Sequence, residues 1–520
     1  MAGINGSFGR RILRGGSVLG IVLLVGAVVG SWPFFSSHAD SLGFSLHDGT
    51  LNFPPVPWEH VSYGINVKCA GLNQGYIGLV GQLGFEWVKT YDLYRERLPY
   101  KVLYRIPFPA YDQTLDEWAQ ALEALVAEHA PYIEAYEVGN EPNIKSEWCK
   151  SWPDWLYDSC PDPNPADYVE LLKIAYPIIK RYDPDAIVVS AAMSPTGPAD
   201  PYTPHPVHPE VWNDVQFIRE MYEHGAKGYF DALGSHPFGF LYAPEVSPWE
   251  CFNNHPRYGT RCVTGLCFRR AEQQREVMVQ FGDADKQLWA TEMGWIIEPP
   301  SECHLTYDWQ YRLWHVVTEG EQADYLVRSF EYAIHNWPWM GVIFVWNLDY
   351  ASCVETSGYP YGCEPARWCS IIHADKSHRP AFDRLRDMPK LPYMTLDTNQ
   401  VSLMVDSTSL DVYTRTLVLD NLRRSDPLHW TVSPSPSWLG IKPVQGVTTQ
   451  PVSITLTISA TAKYLMSGTA YIPSIYTNIV ITGTDAEGPM ATNSPWQVTV
   501  RVWNPDAFQY HVHLPLIMKR

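Results

Sequence analysis

Residues 133–143 read IEAYEVGNEPN, and residues 287–295 read QLWATEMGW. In each stretch a run of β-forming residues leads to a glutamate. Glu141 is followed by the turn former Pro142, and Glu292 is followed two residues later by the turn former Gly294. Similar short runs recur through the first three quarters of the chain and alternate with longer stretches of helical periodicity. This alternation predicts repeated β/α units around a parallel sheet.

Eight strands are predicted in this part of the chain. They cover 61–67, 85–91, 102–107, 133–140, 187–192, 230–236, 287–292 and 342–347. Amphipathic helices are predicted between them, for example at 114–129, 166–181, 215–225, 269–281 and 321–336. Eight β/α units favour an α/β fold, a (β/α)8 TIM barrel with enlarged loops, over 60–388.

The pattern of apolar residues changes after the predicted barrel. Residues 397–503 lack helical periodicity and show short alternating strands between Pro, Gly, Ser and Asn, which predicts a β-sandwich behind a linker at 389–396. Its Ser437-Trp438-Leu439, followed by Pro443 and Gly446, resembles the carbohydrate-associated sandwich modules called BACON domains. The resemblance implies sugar binding, and a simple spacer is the alternative.

The first 39 residues have the pattern of a secretory signal. Three arginines precede an apolar run at 18–32, and Ser37-His38-Ala39 is a small-x-small cleavage site. A retained signal anchor is the alternative, because the run is almost long enough to span a bilayer. Residues 40–59 are then an N-terminal extension. Residues 504–520 form a tail that we interpret as a processing or surface-attachment segment, with a frayed terminus as the alternative.

Composition excludes some classes of function. A net charge of −18 makes nucleic acid an unsuitable partner. The ten cysteines lie downstream of the signal, and their number is even, so we expect disulfides in a secreted or cell-surface protein. The favoured local pairs are Cys149 with Cys160, and Cys353 with Cys363 or Cys369. No Cys-x-x-Cys pair or zinc-like histidine spacing occurs, so no metal and no cofactor is predicted.

Barrel active sites form where strands give way to loops at the C-terminal face. Glu141 and Glu292 end the fourth and seventh predicted strands, so both are expected at one mouth. Hydrolysis of a glycosidic bond needs one carboxylic acid to protonate the leaving oxygen and one carboxylate to meet the charge on the anomeric carbon. A separation of about 5 to 5.5 Å retains configuration, and about 6.5 to 9.5 Å inverts it.

These two strand ends resemble the clan of retaining barrel glycosidases often called clan A, in members similar to families 39 and 5. There an Asn-Glu pair ends strand four and a lone glutamate ends strand seven. The resemblance implies that Glu141 is the general acid and base, that Glu292 is the nucleophile, and that Asn140 donates to the 2-hydroxyl of the sugar.

Other positions match the clan less closely. His236 corresponds to a site histidine after strand six, but Phe238 stands where many members have a tyrosine that orients the nucleophile. Either Tyr242 replaces that tyrosine or the nucleophile is held in another way. Lys89 on strand two stands where several relatives use arginine to contact the nucleophile side of the sugar.

Two tryptophans are candidates for stacking on a sugar ring. Trp346 ends strand eight, where the clan commonly has a subsite tryptophan, and Trp295 is a second candidate. Ordinary barrel packing is the alternative for each. Glu137 precedes Glu141 by four residues, but it lies deeper in its strand, so we interpret it as a structural, hydrogen-bonded carboxylate.

The sequence therefore predicts a monomeric, secreted glycoside hydrolase that cleaves β-glycosidic bonds in poly- or oligosaccharides with retention. Exo action similar to β-xylosidases and β-glucosidases competes with endo action on glucan, mannan or galactan. A surface glycan-binding or envelope protein without turnover is the alternative from a different class.

Overall fold

The computed structural model describes most of the chain outside its two ends. The described residues are 61–67, 74–149, 151, 158–196, 210–248, 265–350, 362–404, 413–423, 426–459 and 474–503. The predicted signal, N-terminal extension and C-terminal tail lie outside them. No helix in the described part of the chain is long and apolar enough to cross a membrane.

Eight parallel strands close into a barrel. They are β1 Ser62–Asn66, β2 Trp87–Thr90, β3 Lys101–Ile106, β4 Ala135–Val138, β5 Ile187–Ser190, β6 Ala232–Ser235, β7 Gln287–Met293 and β8 Met340–Val345. Each strand pairs with the next along the chain, and β8 pairs with β1. The predicted (β/α)8 barrel is confirmed, with every predicted strand in place.

Helices surround the barrel. They are α1 Gln74–Leu83, α2 Leu115–His129, α3 Lys145–Trp148, α4 Pro165–Tyr182, α5 Asp214–Glu223, α6 Arg270–Gln280, α7 Tyr307–Arg312, α8 Glu319–Asn336 and α9 Pro380–Asp387. Capping residues determine where α2 begins. In α2 the hydroxyl of Thr114 accepts from the backbone N–H of Glu117, whose side chain accepts from the backbone N–H of Thr114. The buried side chains Trp118, Leu122 and Val126 then form one stripe.

The interior of the barrel changes from apolar to polar toward the strand ends. Side chains of a strand alternate between its faces, so inward positions recur every two residues. Trp87, Leu103 and Ala135 belong to one apolar cluster inside the barrel. Two residues further along the same strands stand Lys89, Arg105 and Glu137. This step puts charged side chains directly beneath the mouth.

The C-terminal part of the structure is all-β. Its strands are β9 Met394–Leu396, β10 Gln400–Met404, β11 Tyr413–Asn421, β12 Leu428–Val432, β13 Leu439–Lys442, β14 Gln445–Thr448, β15 Val452–Ile458, β16 Ser474–Thr484 and β17 Trp496–Trp503. They form a five-stranded sheet, β10-β17-β16-β12-β14, and a four-stranded sheet, β13-β15-β11-β9, around a shared apolar core. The predicted β-sandwich is therefore present. The stretch 389–396, expected as a linker, ends in β9, which pairs with β11.

The sandwich contacts the end of the barrel where the strands begin. The guanidinium of Arg423 binds Glu86, directly before β2, and the backbone N–H of Leu391 donates to the hydroxyl of Tyr63 on β1. Barrel and sandwich belong to one compact unit. The mouth, at the other end of the strands, therefore faces away from this junction.

Candidate active site

Glu141 and Glu292 line the same cleft at the C-terminal face of the barrel. Glu141 follows β4, and Glu292 is the penultimate residue of β7. The cleft has a volume of about 600 Å³. The two carboxylates are mostly shielded from solvent, with side-chain exposures of 16% for Glu141 and 9% for Glu292. Strands four and seven thus deliver both predicted acids to one site.

A single imidazole lies between the two carboxylates. The Nδ1 atom of His236 is 3.0 Å from Oε1 of Glu141, and its Nε2 atom is 3.8 Å from Oε1 of Glu292. Since the two nitrogens of one imidazole are about 2.2 Å apart, these two oxygens lie within about 9 Å of each other, a separation that glycosidic hydrolysis allows. The two acids can therefore act on one anomeric centre.

Two side chains bind Glu292, one on β2 and one directly after it. The Nζ atom of Lys89 is 3.2 Å from Oε1 of Glu292, and the hydroxyl of Tyr91 is 3.0 Å from the same oxygen. Burial, followed by the charge on Glu292, keeps the pKa of Tyr91 well above its usual value. Tyr91 therefore remains a neutral hydrogen-bond donor at ordinary pH.

Lys89 also binds Glu137, the deeper acid of β4. Its Nζ atom is 2.7 Å from Oε2 of Glu137, whose other oxygen accepts a 2.6 Å hydrogen bond from the hydroxyl of Thr291. Lys89, Glu137 and Thr291 are fully buried. As predicted, Glu137 is a structural carboxylate. Lys89 lies beneath the cleft, where it contacts Glu292 from below, rather than on the cleft wall where a sugar contact was predicted.

The turn that carries Glu141 requires an unusual backbone. Gly139 has a φ of 92°, and a Cβ atom there would lie 2.3 Å from the ring of Phe108. Glu141 itself has a φ of 41°, a strained value for a non-glycine residue. Its backbone N–H donates to the carbonyl of Ala192 at 2.9 Å. The Gly-Asn-Glu sequence thus places the carboxylate at the mouth through a fixed, strained turn.

Asn140 also lines the cleft, and its amide is only partly satisfied. Its Nδ2 atom donates to Oε2 of Glu147 at 3.0 Å, whereas its buried Oδ1 atom has no hydrogen-bond partner among the described residues. An amide nitrogen carries two N–H donors, so a second bond to a sugar hydroxyl is available. The donor role that the sequence predicts for Asn140 stays a prediction.

The aromatic candidates divide between cleft and core. Trp346 is half-buried and lines the cleft, as does Phe238. Trp295 is 1% exposed, and its indole N–H donates to the carbonyl of Tyr242 at 2.8 Å. Tyr242 is buried in a cluster with Leu241. The structure therefore favours barrel packing for Trp295, and it places Tyr242 in the core rather than on the wall of the cleft.

The charges around His236 set its protonation. Burial alone would lower the pKa of this imidazole, but the charges on Glu292 and Glu141 and the hydrogen bond to Glu141 outweigh burial and raise the pKa above its ordinary value. A protonated His236 donates toward Glu141 through Nδ1. Its ring also meets Phe238 edge to face at 5.9 Å, which fixes its orientation.

Disulfides tie the loops around the cleft. Cys149 bonds to Cys160 after β4, which confirms the predicted pair. Cys363, after β8, bonds to Cys303, after β7, so its predicted pairing with Cys353 is wrong. The two loops follow neighbouring strands, which places Cys303 closer in space than sequence spacing suggests. Cys369 is a buried free thiol within the described residues, and Cys353 lies outside them. No metal-binding cluster occurs in the described part of the chain.

Comparison of the chain with known proteins gives similar solved structures but no matching family. No protein-family model and no curated protein matches it, so the likeness to BACON domains has no support from family models. Similar solved structures include a family 39 glycoside hydrolase from the gut symbiont Bacteroides cellulosilyticus WH2, at 15% identity and a TM-score of 0.41 over 79% of this chain and 83% of that chain. At this TM-score the likeness says nothing about activity.

Two further similar structures are larger proteins. A Bacteroides uniformis β-glucuronidase has 9% identity and a TM-score of 0.40 over 87% of this chain and 48% of that chain. A putative β-galactosidase from Bacteroides fragilis has 12% identity and a TM-score of 0.37 over 85% of this chain and 55% of that chain. This chain thus spans about half the length of either protein.

Sequence reasoning missed several residues of the cleft. Tyr91, Arg105 and Arg312 line the cleft; Tyr91 binds Glu292, and Asn66 on strand one lies within hydrogen-bonding distance of the hydroxyl of Tyr91. The inward alternation after Leu103 could have indicated Arg105. No comparable signal marks Arg312, because it stands in the long segment between β7 and α8, whose path the periodicity does not determine.

Proposed function

We propose that the protein is a glycoside hydrolase of the clan A type, similar to families 39 and 5. It cleaves β-glycosidic bonds in poly- or oligosaccharides by double displacement. The observation that carries the proposal is the position of His236, which lies between the carboxylates of Glu141 and Glu292 in one cleft. Two acids brought together by strands four and seven satisfy the requirement of glycosidic hydrolysis.

The surroundings of the two acids support different roles. Lys89 and Tyr91 both donate to Glu292, and such donors stabilise a carboxylate in its ionised form. Glu292 is therefore assigned as the nucleophile. Glu141 faces the cleft beside His236 and has no lysine or arginine bound to it among the described residues. It is assigned as the general acid and base, because the proton that it shares with His236 can pass through it to the leaving oxygen.

The chemistry then has two steps. In the first, an oxygen of Glu292 attacks the anomeric carbon, and Glu141 gives its proton to the leaving oxygen as the glycosidic bond breaks. In the second, Glu141 takes a proton from a water molecule, whose oxygen attacks the same carbon and releases Glu292. Asn140 donates to the 2-hydroxyl, and Trp346 stacks on the ring, as this sugar flattens toward the transition state.

We further propose that the enzyme acts outside the cytoplasm. The disulfides Cys149–Cys160 and Cys303–Cys363 are typical of proteins in oxidising compartments. Residues 1–39 then act as the export signal, 504–520 as a segment for surface attachment, and 60–388 and 397–503 as catalytic and accessory domains of a monomer.

The test is hydrolysis of a panel of aryl β-glycosides by the wild type and by the Glu141→Gln and Glu292→Gln variants. We expect each variant to lose activity by about 10³-fold or more, because each removes one of two indispensable roles. Glu170→Gln, an exposed position on α4, is the matched control and should retain full activity.

A mechanism-based label tests the assignment of roles. Activated 2-fluoro glycosides should leave the sugar on Glu292, seen by mass spectrometry of the digested protein. A sugar attached to another residue would contradict Glu292 as the nucleophile. Absence of hydrolysis across the panel, with the protein folded, would reject the proposed function.

A further inference from the structure

The charged side chains that line the cleft differ in whether they have hydrogen-bond or ion-pair partners. Four carboxylates of the described part of the chain line it, and none lacks a partner: Glu141, Glu147, Glu292 and Glu364. Two guanidinium groups also line it, those of Arg105 and Arg312. Neither of them has an ion pair or a hydrogen bond to any described residue. Among the residues that the structure describes, the cleft thus offers free cationic donors and no free carboxylate.

Arg105 is the more enclosed of the two. It is half-buried, inward-facing on β3, and its Nε atom is buried without a partner among the described residues. Its guanidinium lies 5.3 Å from the centre of the Tyr91 ring. A buried guanidinium N–H without an acceptor is costly unless a ligand supplies one. Since Tyr91 contacts Glu292, such a ligand group would lie beside the nucleophile.

Arg312 provides a second free cation on another wall. It ends α7 in the segment after β7, and its side chain is exposed. In a barrel closed in the order β1 to β8, strands three and seven stand opposite each other. Arg312 lines the cleft together with the buried His315, whose pKa is lowered mainly by burial and further by the positive charge of Arg312. Free guanidinium groups therefore face the cleft from both sides.

We propose that the cleft selects a glycan that carries negative charge, as a carboxylate or a sulfate group. Arg105 binds the charged group of the sugar next to Glu292, and Arg312 binds a charged group on the opposite wall. A planar guanidinium with free N–H donors matches the two oxygens of either group. This inference rests on the proposed function, whose cleft and reacting sugar it uses. The net charge of −18 opposes long-range attraction of such a ligand, so its recognition depends on these local donors.

The experiment measures binding separately from turnover. In a Glu141→Gln background, calorimetry compares a disaccharide that ends in glucuronic acid, its glucose counterpart and its 6-O-sulfated glucose counterpart. We expect the acidic probes to bind at least about tenfold more tightly than the neutral one, with a preference that falls as salt rises. Arg105→Gln should remove most of that preference and leave the affinity for the neutral probe nearly unchanged. Arg312→Gln should do the same for a disaccharide whose second sugar carries the acidic group.

The matched control is Arg415→Gln, at an exposed position of the sandwich strand β11, which should change nothing. A preference for the glucuronic acid probe over the sulfated one identifies a carboxylate as the ligand group, and the reverse identifies a sulfate. Equal or tighter binding of the neutral probe overturns the inference. So do arginine variants that keep the preference, and so does failure of both acidic probes to bind. Because hydrolysis of the aryl glycoside panel is scored separately, these outcomes stay distinct from failure of the proposed function.

Discussion

The hydroxyl of Tyr91 stands between two acceptors. It is 3.0 Å from Oε1 of Glu292 and 3.1 Å from Oδ1 of Asn66. The amide of Asn66 is fixed, because its Nδ2 atom donates to the carbonyls of Thr291 and Val345. A tyrosine hydroxyl has one proton, so it donates to one acceptor at a time. A charged Glu292 is the stronger acceptor, and in the proposed intermediate, in which Glu292 carries a sugar, Asn66 becomes the alternative.

We predict that Tyr91→Phe lowers kcat/KM by about 10 to 100-fold. The change leaves the carboxylate of Glu292 with one donor fewer and frees its rotation, while the ring and its packing remain. Steady-state kinetics on the best aryl glycoside measures the effect. The pKa of Tyr91 is raised, so the wild-type hydroxyl keeps its proton and should add no alkaline limb of its own to the pH profile.

Tyr176→Phe is the control for this prediction. Tyr176, on α4, also donates to a carboxylate, that of Asp231 at 3.0 Å, but it lies away from the cleft. Its variant should resemble the wild type in kinetics, whatever its effect on stability. If Tyr91→Phe also retained wild-type kcat/KM, Tyr91 would have no part in orienting Glu292.

At the scale of elements, the alternation of strands and helices was sufficient to predict the barrel. Strand ends then placed Glu141, Glu292 and His236 correctly at one mouth, because the C-terminal ends of parallel strands share a face. The support of Glu292 by Tyr91 was not predictable in this way. It depends on the register of β2 against β1 and on how far Tyr91 extends past the strand, which periodicity does not fix.

The loops were harder to predict than the strands for a physical reason. Their paths follow from packing and cross-links rather than from repeats of two or 3.6 residues. Cys363 illustrates this, because its partner Cys303 is 60 residues away in sequence but belongs to the neighbouring loop. The indole of Trp309 donates to the carbonyl of Cys363 at 2.7 Å and closes the same cluster. Such contacts form only after the barrel has brought the loops together.

We predict that replacing Cys303 and Cys363 together by serine destabilises the protein by roughly 3 to 5 kcal/mol, because a long loop is no longer closed in the unfolded chain. The wall that carries Arg312 should also loosen, so KM should rise more than kcat falls. Thermal unfolding and steady-state kinetics measure the two effects.

The comparison is the Cys149→Ser, Cys160→Ser double variant, whose disulfide joins residues only 11 apart in sequence. Because it closes a shorter loop, removing this disulfide should lower the free energy of unfolding by roughly 1 to 2 kcal/mol less than removing Cys303–Cys363. Equal losses of stability in the two variants would argue that local strain or packing, rather than loop closure, determines the effect. An unchanged KM in the Cys303 and Cys363 variant would show that the disulfide does not shape the cleft.

At the scale of the whole molecule, one arginine connects the sandwich to the barrel. Arg423 binds Glu86 and donates to the carbonyl of Leu391 at 2.7 Å, and its guanidinium lies 4.7 Å from the centre of the Tyr63 ring. The side chains of Arg423 and Glu86 are only 13% and 14% exposed. Glu86 also accepts from the backbone N–H of Tyr63 at 2.9 Å. The junction is therefore a largely desolvated ion pair at the barrel end remote from the cleft.

We predict that Arg423→Met lowers the free energy of unfolding by roughly 2 to 4 kcal/mol while kcat and KM stay within about twofold of wild type. The stability is lost because Glu86 keeps a buried charge after its partner is removed. Activity is preserved because Glu86 and Tyr63 lie at the starts of β2 and β1, whereas the cleft lies at the strand ends. Denaturant unfolding and aryl glycoside kinetics give the two measurements.

The double variant Arg423→Met, Glu86→Gln separates the two contributions at the junction. Removing both charges should restore part of the lost stability, since no unpaired buried charge then remains. Arg328→Met, which breaks the more exposed pair with Glu245, should cost about 1 kcal/mol or less. If Arg423→Met instead impaired catalysis as strongly as it impaired stability, the sandwich would influence the cleft through the barrel. If the sandwich is only a spacer at the far end of the strands, Arg423→Met should leave catalysis unchanged.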